Sequence, residues 1–177
     1  MKSQTYRTVP QAGSVRVLLG AALKAGLAGG AGVSLLLLVY QVVSFPFLQR
    51  GLIPPAILIV WIVTGIGAAM LAGEQVQTSR DGGKVGVLAG LVAGVVGGIA
   101  SMVVAAFGAT FTRYGEGILI QLSDTQLAAL NNAGFTERLI VLSGSVIMAM
   151  FVCGVGGMVV SALLGGFGGW LYPKFNR

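Results

Sequence analysis

Four stretches of apolar sequence without a charged residue, at 25–45, 52–73, 85–110 and 139–171, constrain this chain more than any other feature. Each reaches the ~20 residues a helix needs to cross ~30 Å of hydrocarbon. Backbone amides must be paired inside lipid, so such stretches form either helices or the alternating strands of a closed barrel. No alternation of period two is present, and the expectation is an all-α integral membrane protein with a four-helix bundle. The first stretch is too long, and starts too late, for a cleaved signal peptide, so it is read as a retained span. Composition agrees: 9% of residues are charged, whereas a water-soluble domain carries about 25%.

The formal net charge of +6 raises the question of nucleic acid, but the placement of the basic residues gives a simpler explanation. Lys2, Arg7, Arg16 and Lys24 precede the first span, Arg80 and Lys84 separate the second and third, and Lys174 and Arg177 follow the fourth. Only Arg50, Arg113 and Arg138 fall on the other side. Positive charge is retained on the cytoplasmic face, so both termini are expected there, in a bacterial cytoplasmic membrane, and no nucleic-acid partner is expected. The acidic residues Glu116, Asp124 and Glu137 fall on the outer side.

Along the chain, residues 1–13 are polar and include Pro10, which suggests a flexible cytoplasmic tail, with Ser14 placed to cap the first helix. A membrane domain over 14–172 follows, and 173–177 form a second tail. Pro46 closes the first span, while Pro54 and Pro55 open the second, where a missing amide proton has no consequence. Residues 74–84, with Gly82 and Gly83, read as a brief cytoplasmic loop. In the outer segment 113–138, Ser123 and Gln126 have the spacing of a capping box ahead of a short surface helix at 124–132, which Gly134 would stop. The fourth stretch would extend ~50 Å as a helix, beyond what a tilt of ~20° absorbs. Trp170 and Tyr172 suit a cytoplasmic aromatic belt, so the excess is expected outward at 139–145, with the span at about 144–171. An outer cap over 113–145 would follow.

Two similarities raise the reading of duplicated helical hairpins. Lys24-Ala25-Gly26-Leu27 resembles Lys84-Val85-Gly86-Val87, and Val63-Thr64-Gly65-Ile66-Gly67 resembles Val152-Cys153-Gly154-Val155-Gly156. The competing reading is that glycine-rich apolar sequence matches itself.

Small residues recur at four-residue intervals. Gly86, Gly90, Gly94 and Gly98 form one face of the third helix, and Ala89, Ala93, Gly97, Ser101 and Ala105 the adjacent one. Ala22, Gly26, Gly30 and Ser34 repeat the interval in the first helix, as do Ser145, Ala149, Cys153, Gly157, Ser161, Gly165 and Gly169 in the fourth. Lipid gives helices no hydrophobic reason to associate, so close backbone approach must supply the attraction. Gly/Ala/Ser-packed interfaces are therefore expected, within the monomer first. Two small faces on one helix exceed what one neighbour needs, which adds a homo-oligomer or larger membrane complex to the expectation.

Ionisable residues inside a membrane mark ion paths and relays, and none lies within the four stretches. Lys24, Glu74 and Lys84 sit at span ends as boundary charges, with a Lys24–Glu74 pair conceivable. Ser34, Gln41, Thr64, Ser101, Ser143, Ser145 and Ser161 are read as bonding to their own helices or between helices. With no histidine and five carboxylates, familiar metal sites and histidine-assisted nucleophiles have no candidates, so neither an enzyme nor a cofactor is expected. Gly82-Gly83-Lys84 lacks P-loop spacing, and Cys153 is the one cysteine. The expected function is that of a noncatalytic subunit or scaffold in contact with lipid and other transmembrane helices; the alternative is a pore or carrier for a small neutral solute or lipid.

Overall fold

The computed structural model describes residues 12–42, 51–111 and 123–175. They form α1 (Ala12–Val42), α2 (Ile53–Ala72), a 3-10 turn (Gly73–Gln75), α3 (Ser79–Phe111) and α4 (Asp124–Asn132). The fourth long helix follows as α5 (Glu137–Ala149), a π-helical segment (Met150–Gly156) and α6 (Gly157–Phe175). All elements among the described residues are helical. Four helices are long and apolar enough to cross a membrane, at Val15–Tyr40, Ile53–Gln75, Ser79–Phe107 and Leu139–Phe175. The tail before residue 12, and Pro46, Arg50, Arg113 and Glu116, lie outside the described residues, as does the side chain of Gln41.

Helix ends follow local chemistry, with two departures from expectation. Pro54 and Pro55 occupy the first turn of α2. Its end is made by Gly73, whose φ of +54° is a conformation that suits a residue without Cβ. The expected loop at 74–84 is consequently a short turn. Thr78 Oγ1 accepts the Asp81 amide at 3.2 Å and donates to the Asp81 carboxylate at 2.6 Å, so α3 starts at Ser79. Gly82 and Gly83 are helical, not loop residues. The second departure is at α1, which is already helical at Ala12, leaving Ser14 inside the helix.

The four long helices are arranged as a rhombus. α1 packs on α2 and α3, and the fourth helix on α3 and α2. α2 and α3 also touch across the short diagonal, whereas α1 and the fourth helix make no comparable contact. Alanine makes this diagonal short: Ala68, Ala69, Ala89 and Ala93 are all 0% exposed. Ala21, Ala22, Ala25, Ala72, Val76 and Val85 continue the core toward the end carrying Lys24 and Lys84, with Leu18 and Tyr172 packed against it.

α4 has the expected capping box, with Gln126 Oε1 accepting the Ser123 amide at 3.1 Å. Gly134, at φ +85°, ends it while Phe135 N donates to Leu130 O at 3.0 Å, closing a Schellman turn. Of the expected outer cap over 113–145, residues 113–122 lie outside the described residues. The fourth helix already begins at Glu137, and α5 lies along α3 with Ile140 and Val141 buried. Among the described residues, α4 makes no extensive contact with the bundle. Its mostly polar surface, with exposed Gln126, Asn131 and Asn132, gives it little reason to dock.

Candidate functional site

The small residues of α3 meet neighbours on both faces. A Cβ on Gly86 would fall on the carbonyl oxygen of Gly165, and one on Gly90 on that of Ser161. At Gly94 it would stand 2.7 Å from Met158 Cα, and at Gly98 2.9 Å from Gly154 Cα. Toward α1, a Cβ on Gly26 would lie 2.6 Å from Val92 Cβ and 2.7 Å from the Ala89 carbonyl, and one on Gly30 2.6 Å from Val96 Cβ. The second small face thus has an intrachain neighbour, which removes the sequence argument that it was spare.

On the fourth helix the four-residue stripe does not stay on one face. Gly165 and Gly169 lie against Gly86, and Ser161 is 0% exposed, but a Cβ at Gly157 would meet nothing within 4 Å, and Cys153 is exposed. A stripe of strict period four drifts about 40° per step around a helix of 3.6 residues per turn. Six steps cannot face a single neighbour, and the π segment over Met150–Gly156 changes the local winding further. Gly154 and Met158 take the contact positions instead. A spacing that mixes threes and fours, running through 154, 158, 161, 165 and 169, would have found them.

The hydroxyls divide by partner. Ser34 donates to Gly30 O at 2.8 Å, Thr64 to Val60 O at 2.7 Å and Ser101 to Gly98 O at 2.7 Å, all within their own helices. Ser143 and Ser145 do likewise, with Leu139 O and Leu142 O. Ser161 alone among these crosses between helices, its Oγ donating to Gly90 O at 2.8 Å as well as to Met158 O at 3.1 Å. Ser161→Ala is expected to lower stability by about 0.5–1 kcal/mol, measured as a small fall in melting temperature with monodispersity retained.

The boundary charges do not pair as conceived. Lys24 and Glu74 are exposed, and the ion pair among the described residues is Lys84–Asp81 at 3.9 Å, one turn apart on α3. At the same end of the bundle, Lys174 Nζ stands 3.3 Å from the centroid of the Trp170 ring.

Among the described residues, two open hollows break the packing. One, of about 330 Å³, lies beside the π segment, with Val33, Trp61, Gly97, Gly98, Cys153 and Gly157 among its walls. The Trp61 indole N–H beside it is buried without a hydrogen-bond acceptor among the described residues, a condition that costs about 1–3 kcal/mol. The other, of about 570 Å³, is a groove between α1 and α2 with Lys24, Gly29, Val63, Thr64, Gly67 and Leu71 among its walls. No group of three or more His, Cys, Asp or Glu side chains that could hold a metal occurs among the described residues.

Comparison with protein-family models, curated proteins and solved structures yields no match to this chain.

Proposed function

We propose that this chain is a noncatalytic membrane subunit or scaffold, whose bundle holds a long apolar helix against other membrane helices. The observation that carries this reading is the fourth helix. Its apolar span of 37 residues extends ~56 Å, against ~30 Å of hydrocarbon. Met148, Phe151, Val155, Val159, Leu163 and Phe167 are all exposed along it, on a surface that winds around the helix. Leu139, Leu142 and Ile147, also exposed, continue the apolar surface past the length that lipid tails can cover. A partner helix would cover both. The glycine and alanine contacts serve this role by making the bundle rigid.

The basic residues support an orientation with both termini cytoplasmic, since Arg16 near the start of α1, Arg80 and Lys84 near the start of α3 and Lys174 near the end of α6 lie on one side of the spans. A duplication of hairpins would fit α1 lying beside α3 and α2 beside the fourth helix. That relation is a sideways displacement. A two-fold axis along the membrane normal, as in transporters built from parallel repeats, would instead set α1 and α3 on a diagonal.

A carrier for a small neutral solute or lipid is the second reading, favoured by the two cavities. Against a solute path through the centre stands the alanine diagonal at Ala68, Ala69, Ala89 and Ala93.

Native mass spectrometry of protein extracted gently from its own membrane tests the proposal. The expected result is a stoichiometric partner, either a second copy or another membrane chain. A lone monomer would overturn the scaffold reading and make flux assays in liposomes the next step. Cys153 gives an independent check on the membrane placement of the fourth helix. A membrane-impermeant maleimide should leave it unlabelled from both sides, while a lipid-soluble maleimide should label it, because the side chain is exposed on the bundle surface.

A further inference from the structure

We infer that the groove between α1 and α2 is a binding site for one acyl chain of an anionic phospholipid, whose phosphate is held by Lys24. The inference rests on the membrane placement of the bundle and not on the existence of a partner chain.

The walls of the groove are almost wholly apolar. Ala25, Ala28 and Gly29 come from α1, and Ile59, Val60, Val63, Gly67, Met70 and Leu71 from α2. Its one hydroxyl, Thr64 Oγ1, is already donated to Val60 O at 2.7 Å, so the interior offers no unmet polar group. From Leu71 to Ile59 the α2 wall runs ~18 Å, and the volume of about 570 Å³ suits a chain of methylenes better than a compact solute.

Glycine makes the groove. A Cβ at Gly29 would fall on Thr64 Oγ1, so glycine there lets the helices come close at the floor. At Gly67 a Cβ would meet nothing within 4 Å, so the missing side chain leaves open space that the protein itself does not fill.

Charge selects the lipid class. Lys24 is the one charged residue among the groove walls. It is exposed and has no carboxylate within ion-pair distance among the described residues, where Asp81 pairs with Lys84 instead. A lysine at this position lays its methylene stem on the apolar wall and presents its ammonium at headgroup level. An anionic headgroup there gains roughly fivefold in binding for one such cation, whereas a zwitterionic headgroup brings its own positive charge.

The test uses the full-length chain reconstituted in vesicles of equal phosphatidylglycerol and phosphatidylcholine, extracted in mild detergent, with retained lipid counted by native mass spectrometry. The expected result is one tightly retained lipid, enriched about fivefold in phosphatidylglycerol. Lys24→Gln should abolish the enrichment while a lipid is still retained. Gly67→Leu should remove the retained lipid while the melting temperature is unchanged, since the new side chain enters open space. Retained lipid in the vesicle ratio, which ordinary boundary lipid would give, overturns the proposal. So does unchanged enrichment in Lys24→Gln, a surface change that does not threaten folding, or unchanged retention in Gly67→Leu.

Discussion

Gly90→Ala is expected to lower the melting temperature of the detergent-purified protein by about 5–10 °C, while Gly157→Ala leaves it unchanged or raises it slightly. Both changes add one methyl group to the same helix–helix system, and both replace glycine inside a helix. At Gly90 the new Cβ would fall on the Ser161 carbonyl oxygen and stand 2.7 Å from the Ser161 carbonyl carbon and 2.9 Å from Ala162 Cα. Backbone atoms cannot rotate away as side chains do, so α3 and α6 must separate locally. Overpacking of this kind costs about 1–3 kcal/mol, which for a chain of this size corresponds to several degrees. The separation would also stretch the Ser161–Gly90 hydrogen bond at 2.8 Å. At Gly157 nothing lies within 4 Å of the added atom, and alanine lowers the backbone entropy lost on helix formation, a gain of up to about 0.5–1 kcal/mol in water. The measurement is the monodisperse fraction after heating, by size exclusion. Equal effects at the two positions would mean that α3 and α6 do not meet along Gly90 and Ser161. Gly90→Leu combined with Gly94→Leu should go further and leave little folded protein.

The contrast between Gly90 and Gly157 also marks how far the sequence could be read. Four helical spans follow from uninterrupted apolar length alone, because lipid leaves the backbone no other local choice. The proline start of α2 and the capping box of α4 are equally legible, since each satisfies a backbone donor through a neighbour a few residues away. Phase around a long helix is not local. The interval from Ser145 to Gly169 looks like one stripe in the sequence, yet only its last third lies on α3, because accumulated drift and the π segment carry Cys153 and Gly157 off the face. Gly82 misleads in the opposite direction. Next to Gly83 it resembles a turn, whereas it is a contact position where a Cβ would fall on the Gly169 carbonyl oxygen. Composition shows that glycine is present but not whether it serves a turn or a close approach. The two cavities were beyond reach for a similar reason, as they form where helices from distant parts of the sequence fail to meet.

The alanine diagonal has a related logic. In water, a core of Ala68, Ala69, Ala89 and Ala93 would bury too little apolar area per residue to hold a bundle together. In lipid the comparison is different, because exposed and buried apolar groups are almost equally well solvated, and attraction comes from the density of contacts at short range. Small side chains bring backbones together and lose little rotamer freedom when packed. At the level of these four alanines they leave no exposed surface between α2 and α3. Large residues are accordingly placed outside: Leu163 is 68% exposed and Phe167 51%, while Gly165, Gly166, Gly168 and Gly169 between and beside them are buried.

Deleting Leu163 is expected to abolish the folded protein, whereas deleting Val152 should be tolerated. Both residues are exposed, at 68% and 60%, so neither deletion removes a large buried side chain. The difference lies in helix phase. Within α6, loss of one residue turns everything on one side of the gap by ~100° and shifts it ~1.5 Å along the axis. Ser161 could then hold its place against Gly90 only if Gly165 and Gly169 left theirs against Gly86, and a large neighbour, Trp170 in the place of Gly169 or Val160 in that of Ser161, would be driven toward the backbone of α3. Val152 lies in the π segment Met150–Gly156, where i→i+5 bonding accommodates an additional residue in a wide turn. Removing one residue there lets the turn tighten to α geometry while α5 keeps Ile140 and Val141 on α3 and α6 keeps Ser161 on Gly90. The check is the yield of monodisperse protein from each deletion, together with melting of any folded product. ΔLeu163 should give none, and ΔVal152 should melt within about 5 °C of the parent, since its flanking contacts are unchanged. If ΔVal152 is as damaging as ΔLeu163, the π segment does not act as an accommodated insertion, and the two halves of the fourth helix depend on its wide turn for their own register.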